Sequence, residues 1–197
     1  MKTAAKLRGL YAITPEGPDL LEKVRHALEG GIALLQYRRK TEGSREEAQA
    51  LLALARRHGV PFIVNDDVEL ALAIGADGVH LGRDDGDLAG ARRRMKDKLL
   101  GASCYDRPEL AQAAIAAGAD YVAFGSVFAS PTKPGAVRAP LSLFKDTRIP
   151  RCAIGGITLD NAPQVIAAGA DMVAVISDLF DAADIAARAA AYRKLFQ

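Results

Sequence analysis

The chain has 197 residues, half of them apolar and a quarter charged, which is ordinary for a globular protein with a sizeable core. Its 26 Lys and Arg nearly cancel its 24 Asp and Glu, and a net charge of +2 without a basic block argues against a nucleic-acid partner. No apolar run approaches the roughly 20 residues of a membrane span, and residues 1–6 lack the apolar core of a signal peptide. We therefore expect one cytoplasmic domain over residues 1–197, with no membrane partner.

Near-copies of a Gly-Ala-Asp triplet recur at residues 75–77, 118–120 and 169–171, with a weaker copy at 31–33. Each follows an Ala-rich helical stretch and precedes an apolar run, so its glycine is expected to end a helix in the left-handed conformation. The interval of about 45 residues is too long for one compact strand–helix unit and fits two. The repeat therefore predicts eight such units.

The predicted strands are short apolar runs, as is typical of parallel strands covered on both faces. In chain order they are 9–14, 34–37, 62–66, 78–81, 99–103, 121–124, 152–156 and 172–176. Helical patterns fill the intervals at about 18–30, 44–58, 67–74, 86–96, 107–117, 160–168 and 181–195, with a short, weak helix at 140–146. Eight α/β units over the whole chain favour a (β/α)8 TIM barrel over an open doubly wound sheet. Cys104 and Cys152 fall in strand-like segments and are expected to be buried free thiols.

Polar residues follow seven of the eight predicted strands, at the rim where TIM barrels carry their chemistry. They occupy residues 36–40, 65–67, 80–85, 103, 126–135, 155–158 and 177. Arg38, Lys40 and Lys133 offer cations to phosphate oxygens, and Ser130 and Thr132 place hydroxyl donors beside Lys133. This set predicts one anion region at the mouth.

A second anion region is predicted after the last two strands. Gly155-Gly156 and the strand exit near Ser177 match the phosphate site that barrels commonly form there. Alone, a Gly-Gly pair is typical of a turn and a serine of a helix cap. Together with the other polar strand ends, they indicate a binding site.

Two carboxylates, Asp66 and Asp85, follow neighbouring predicted strands. Adjacent strands lie about 4.8 Å apart, so both side chains can reach one ion. Carboxylates beside phosphates predict Mg2+. One residue of each pair, Asp66–Asp67 and Asp84–Asp85, is expected to cap the following helix. His80 is expected to be a satisfied, partly buried residue and not a catalyst.

The ordered set of motifs resembles the thiamine phosphate synthase family. The segments that carry the resemblance are 10–14, 36–40, 64–67, 78–82, 130–133, 154–157 and 174–177. Each is common alone, but all seven in order and at barrel spacing form a specific signal. Two positions depart from the family pattern: Arg83 stands where Gln is expected, and Ser130 where Thr is frequent.

The resemblance implies a transferase that joins 4-amino-2-methyl-5-hydroxymethylpyrimidine diphosphate to a thiazole phosphate and releases pyrophosphate, with Mg2+ as cofactor. It implies that the pyrimidine diphosphate is bound by Gln36, Arg38, Lys40, Asn65 and Lys133, with Ser103 near the pyrimidine and Arg38, Ser103 and Lys133 as the catalytic group. It assigns Mg2+ to Asp66 and Asp85. It assigns the thiazole phosphate to Ser130, Thr132, Gly156, Ile176 and Ser177.

Two alternatives stay open at the level of sequence. A thiazole tautomerase-like paralogue shares the fold but looks to use a His in the loop after strand 6, where this chain has Gly125-Ser126. A non-catalytic sensor of phosphate ligands would not need both Asp66 and Asp85, because it has no leaving group. The sequence leaves open whether the chain forms homo-oligomers.

Overall fold

In the computed structural model, residues 7–39, 44–83, 85–129, 138–145 and 148–197 are described. Eight parallel strands pair in chain order and the last pairs with the first, so the sheet is a closed barrel. The strands are β1 Gly9–Ile13, β2 Leu34–Tyr37, β3 Phe62–Asn65, β4 Gly78–Leu81, β5 Leu99–Tyr105, β6 Tyr121–Phe124, β7 Arg151–Ile154 and β8 Met172–Val175. This confirms the predicted TIM barrel and excludes the open sheet.

The helices follow the predicted order with two differences. They are α1 Leu20–Gly30, α2 Arg45–Arg57, α3 Val68–Ile74, α4 Leu88–Met95, α5 Pro108–Ala116, α6 Ala162–Ala167, α7 Ser177–Phe180 and α8 Ile185–Lys194. The weak helix predicted at 140–146 is a 3-10 turn, Leu141–Phe144. The helix predicted at 181–195 begins later because Asp184 caps it by accepting the Ala187 N–H at 2.9 Å, and the separate α7 precedes it. None of the described helices is long and apolar enough to cross a membrane.

The expectation of one helix cap from each aspartate pair is half right. Asp67 caps α3, and its carboxylate accepts the Leu70 N–H at 2.8 Å. The N-cap of α4 is Asp87, because the helix begins two residues later than predicted, so the cap expected from the Asp84–Asp85 pair is wrong. Asp84 itself lies outside the described residues.

The Gly-Ala-Asp repeat performs the same structural role in each copy. Its glycine adopts a positive φ, as at Gly75, where φ is 72°. Its carboxylate then accepts an N–H at the N-terminal end of the neighbouring strand. The three bonds are Asp77 to Phe62 N–H at 2.9 Å, Asp120 to Leu100 N–H at 2.8 Å and Asp171 to Arg151 N–H at 3.0 Å. The repeat therefore anchors the N-terminal ends of β3, β5 and β7, opposite the rim that carries the polar motifs.

The core consists of a layer between strands and helices and a second cluster inside the barrel. The interior cluster contains Tyr11, Ile13, Leu34, Ile63, Tyr121, Ala123, Cys152, Met172 and Ala174. Both cysteines are buried and free, as predicted. Tyr11 and Tyr121 bring hydroxyl groups into this otherwise apolar interior, with their rings edge to face at 5.8 Å. Gly101 of β5 makes room for Tyr121 and His80, because a Cβ there would lie 2.2 Å from Tyr121 Cζ and 2.5 Å from His80 Nδ1.

We expect Gly101→Ala to destabilise the barrel by about 1–3 kcal/mol, the usual cost of forcing a methyl group into a packed core. The measurement is the free energy of unfolding in urea. Gly59→Ala is the comparison, since an added Cβ has nothing within 4 Å there and only the φ of +67° is unfavourable. That strain costs about 1–2 kcal/mol. A Gly101→Ala protein as stable as the parent would contradict the packing described.

Candidate active site

The rim after β2 is built on Thr14, which follows β1. The Arg38 N–H donates to Thr14 Oγ1 at 2.9 Å, and the Thr14 hydroxyl donates to the Arg38 carbonyl at 3.1 Å. The neighbouring Arg39 is engaged elsewhere: its guanidinium donates to Glu47 Oε1 at 2.8 Å and to Glu16 at 3.2 Å. Of the two adjacent arginines, Arg38 is therefore the one whose charge acts on the acidic residues of the mouth, as the pKa of Asp66 shows below.

The carboxyl groups of Asp66 and Asp85 interact directly, as predicted for strand ends that are neighbours in the barrel. Asp66 has a φ of +63°, and its N–H donates to the His80 carbonyl at 2.9 Å. Asp85 is held by the Gly82 N–H at 2.9 Å, an approach that a Cβ at Gly82 would obstruct at 2.4 Å. The Asn65 amide donates to the Asp66 carboxylate.

Asp66 and Asp85 form an acidic pair whose negative charge is only partly offset by the residues that the structure describes. Partial burial and the Asp85 carboxyl raise the pKa of Asp66 to about 6, while the charge of Arg38 and the Asn65 amide act in the opposite direction. No cluster of three or more His, Cys, Asp or Glu that could hold a metal ion is found among the described residues. Two neighbouring carboxylates nevertheless fit Mg2+, which takes one or two carboxylates and completes its shell with water and phosphate oxygens.

A chain of hydrogen bonds crosses the barrel interior below this rim. The Gln36 amide donates to the Tyr11 hydroxyl at 2.7 Å, Tyr11 and Tyr121 bond at 2.8 Å, and Tyr121 bonds His80 Nδ1 at 3.1 Å. His80 Nε2 then bonds Ser103 Oγ at 2.9 Å. Burial lowers the pKa of His80 to about 4, so the imidazole is neutral. The prediction of a satisfied His80 is confirmed.

The opposite side of the mouth is formed after β7 and β8, which face β3 and β4 in the closed strand order. Gly155 and Gly156 both have positive φ, 95° and 64°. Ile176 precedes α7 and Ser177 is its first residue, so Ser177 is not the helix cap considered from the sequence. Asp178 fixes α7 by accepting hydrogen bonds from Tyr192 at 2.8 Å and Arg188 at 2.9 Å.

Comparisons with known proteins agree with this geometry. The sequence model of the family described as thiamine monophosphate synthase matches residues 10–179. The chain belongs to this family. Among its relatives, the thiamine-phosphate synthase of Aromatoleum aromaticum is 59% identical over 97% of both chains, and that of Bordetella pertussis is 52% identical over 100% of this chain and 98% of the relative.

Solved structures place this member of the thiamine monophosphate synthase family on the same barrel. The thiamine phosphate pyrophosphorylase of Pyrococcus furiosus is 36% identical, covers 97% of this chain and 96% of its own, and superposes with a TM-score of 0.86. A 3-hexulose-6-phosphate synthase with 19% identity and a TM-score of 0.73 covers 96% of this chain and 100% of its own. That likeness shows the fold alone.

The sequence-predicted residues of this family member fall into three groups. Arg38, Asn65, Asp66 and Asp85 share the β2–β4 side of the mouth, and Gln36 is linked to Ser103 through the interior. Gly156, Ile176 and Ser177 lie on the β7–β8 side. Lys40, Ser130, Thr132 and Lys133 lie outside the described residues. Arg83, which departs from the family pattern, precedes Asp85 by two residues. Its guanidinium lies over the Tyr105 ring, 5.7 Å from the ring centroid.

Sequence reasoning missed Tyr11, Tyr121 and Thr14. Both tyrosines lie within short apolar strand runs, and Thr14 ends the motif at 10–14. A phenol in an inward-facing position of a strand is a signal, since a buried hydroxyl needs a partner.

We expect Asp85→Asn to lower the pKa of Asp66 below its value of about 6 in the metal-free protein, because a neutral amide removes the like charge. A carboxylic acid with a raised pKa stabilises the fold below its unfolded value and loses this contribution as pH rises through about 6. The melting temperature in chelator should therefore fall less between pH 4 and pH 7 in Asp85→Asn than in the parent. Carbon-13 titration of the Asp66 carboxyl gives the pKa directly.

The control for this titration is Asp181→Asn, which removes an exposed carboxylate after α7. It should leave the Asp66 titration unchanged. An equal pKa of Asp66 in the parent and in Asp85→Asn would contradict the contact between the two carboxyl groups.

Proposed function

We propose that the chain is a thiamine-phosphate synthase, a transferase that joins a pyrimidine diphosphate to a thiazole phosphate and releases pyrophosphate. The observation that carries the proposal is the mouth itself. On one side lie Asp66 and Asp85, with Arg38, whose charge acts on Asp66. Across the mouth lie residues that follow β7 and β8, namely Gly155, Gly156 and Ser177. Full-length relatives with this activity in their names support it.

The pyrimidine diphosphate would occupy the β2–β4 side. Gln36 and Ser103 reach it from the barrel interior, and Asn65 stands next to Asp66 at the end of β3. Arg38 would bind the diphosphate together with Lys40 and Lys133, whose roles follow from the family resemblance. Arg38, Lys133 and Ser103 are the proposed catalytic group.

Asp66 and Asp85 would hold Mg2+, whose charge would offset that of the diphosphate. In the metal-free protein, partial burial and the neighbouring Asp85 carboxyl raise the cost of ionising Asp66, as its pKa of about 6 indicates. A divalent cation between them would replace that repulsion by attraction. The Gly82 N–H orients the Asp85 carboxylate, and the Asn65 amide orients that of Asp66.

The thiazole phosphate would lie on the β7–β8 side, bound by Gly156, Ile176 and Ser177 with Ser130 and Thr132 from the neighbouring loop. Backbone N–H groups at such a strand exit suit a monoester phosphate. Substituting Gly156 is a poor probe of this subsite, because a Cβ there would lie 2.5 Å from the Ala129 carbonyl and 2.9 Å from the Phe128 carbonyl. Ser177 is the cleaner position.

The reaction needs stabilised charge and not a nucleophile of the protein. The bond between the exocyclic carbon and the diphosphate oxygen breaks with its electron pair going to pyrophosphate, where Arg38 and Lys133 stabilise the new charge. The pyrimidine carries the positive charge left behind, and the lone pair of the thiazole nitrogen forms the new bond. The available thiols are unsuited to covalent catalysis, because burial raises the pKa of both Cys104 and Cys152.

The thiazole tautomerase alternative is disfavoured by the loop after β6. Ser126 stands where that group has a His, and its hydroxyl donates to the Phe128 carbonyl at 2.8 Å.

We also propose that residues 1–197 form one domain, supported by the closed barrel and by a family match over 10–179. The cytoplasmic location stays a prediction, and homo-oligomer formation stays open.

We expect the protein to form thiamine phosphate from the two heterocycle phosphates only when Mg2+ is present. Asp66→Ala should lower kcat/KM by several orders of magnitude and also abolish the heat of Mg2+ binding to the protein measured by calorimetry. Asp181→Asn, with an exposed carboxylate removed elsewhere, should retain both. Full activity of Asp66→Ala in chelator-treated buffer would overturn the metal assignment.

We expect two separate ligand sites that respond to different substitutions. Arg38→Ala should weaken the affinity for the pyrimidine diphosphate by on the order of tenfold to a hundredfold, because a charged hydrogen bond is lost. The affinity for the thiazole phosphate should stay unchanged. Ser177→Ala should show the reverse. Calorimetric titration of each ligand with Mg2+ present measures both.

The matched control is Arg39→Ala, since this neighbouring arginine is paired with Glu47 and Glu16. It should retain pyrimidine diphosphate affinity even if its stability falls. Failure of the intact protein to bind the pyrimidine diphosphate would overturn the synthase and favour the tautomerase.

A further inference from the structure

We propose that Tyr11 and Tyr121 are positioning residues that fix the direction of the interior hydrogen-bond chain, and thereby decide that Gln36 presents an acceptor and Ser103 a donor to the pyrimidine. This inference rests on the proposed function for the identity of the ligand. The direction of the chain does not depend on it. The observations are the four consecutive hydrogen bonds that link residues of β2, β1, β6, β4 and β5.

The direction follows from the hydroxyl of Tyr11. It is fully buried among two partners, Gln36 and Tyr121, and has no other within the described part of the chain. The Gln36 Nε2 can only donate, so Tyr11 accepts from it. The hydrogen of Tyr11 must then be donated to Tyr121, because a buried hydroxyl hydrogen without an acceptor costs about 1–3 kcal/mol.

The same reasoning passes through Tyr121 to the histidine. Tyr121 accepts from Tyr11, and the remaining partner of its hydroxyl is His80 Nδ1 at 3.1 Å. Its hydrogen is therefore donated to Nδ1, which must be the unprotonated ring nitrogen. The neutral imidazole carries its hydrogen on Nε2 and donates it to Ser103 Oγ at 2.9 Å.

Both ends of the chain are left with defined properties. Ser103 accepts from His80, so its own hydrogen is available to donate at the mouth, where the side chain is partly exposed. The Gln36 Nε2 is engaged by Tyr11, while its carbonyl oxygen accepts no hydrogen bond from the described residues and is not among the buried atoms without a partner. The pair therefore matches a ring that offers an amino donor beside a nitrogen acceptor, as an aminopyrimidine does.

The packing around the chain keeps this arrangement fixed. The His80 and Tyr121 rings stack with centroids 5.5 Å apart and planes inclined by 29°. Gly101 lies directly against them, and a side chain there would collide with both. This packing keeps both rings within hydrogen-bond distance of their partners, and the direction of the chain is set by the Gln36 amide, whose Nε2 faces the Tyr11 hydroxyl.

The first test reads the direction without any activity. The chain contains three histidines, and nitrogen-15 spectra of histidine-labelled protein identify His80 after His26→Gln and His58→Gln are used for assignment. We expect the Nε2–H tautomer for His80 in the intact protein and a mixture of tautomers in Tyr121→Phe, where Nδ1 has lost its donor. Tyr37→Phe is the matched control: it loses a hydroxyl that donates to Glu47 at 2.9 Å, and it should leave the His80 signals unchanged. The Nδ1–H tautomer in the intact protein would overturn the proposal.

The second test separates positioning from a loss of stability. Tyr11→Phe and Tyr121→Phe should each raise the KM for the pyrimidine diphosphate by about tenfold, the scale of one hydrogen bond, and leave the KM for the thiazole phosphate unchanged. Equal changes for both substrates would show a merely structural role and overturn the proposal. An intact protein that forms no thiamine phosphate would overturn the proposed function instead, and the tautomer of His80 would still decide the direction of the chain.

Discussion

Closure of eight parallel strands is the constraint on which every other feature of this protein depends. Because all strands run the same way, their C-terminal ends meet at one rim, and residues distant in sequence become neighbours there. Asp66 and Asp85 interact only because β3 and β4 are adjacent, and Gly156 lies across from them only because β7 is opposite β3. The Gly-Ala-Asp repeat stabilises the opposite rim, since each carboxylate accepts an N–H at the N-terminal end of a neighbouring strand.

The barrel interior contains both an apolar side-chain cluster and a chain of hydrogen-bonded polar groups. Side chains such as Leu34, Ile63 and Met172 fill the space, as expected for a small barrel. The phenols of Tyr11 and Tyr121 supply the same kind of packing and also carry hydroxyl groups across the interior. A satisfied polar chain of this kind costs little stability and specifies side-chain orientation, whereas one missing member would leave several groups unpaired. Under the proposed function, this makes the core part of the binding site.

The fold was predictable from the sequence because its signals are local and repeated. The triplets at 75–77, 118–120 and 169–171 mark helix ends, and the short apolar runs between them mark strands, so unit count and order followed directly. The rim residues were predictable for the same reason, since position at a strand end implies position at the mouth. Contacts between side chains were not. The division of labour between Arg38 and Arg39 depends on where Glu47 of α2 lies, and the cap of α4 depends on a helix start that periodicity fixes only to within a few residues.

Asp66 has two locally unfavourable features, whose free-energy cost the rest of the fold must offset. It is a non-glycine residue with φ of +63°, and its carboxyl faces that of Asp85. Either feature alone has a structural explanation, but strained backbone and like charges placed together are characteristic of sites that gain their favourable energy from a ligand. The hydrogen bond from the Asp66 N–H to the His80 carbonyl ties this strained residue to β4, the strand that contributes His80 to the interior chain. The acidic pair and the chain from Gln36 to Ser103 therefore share one strand, β4, so a ligand bound to the acidic pair would lie above groups whose donor and acceptor directions are already set.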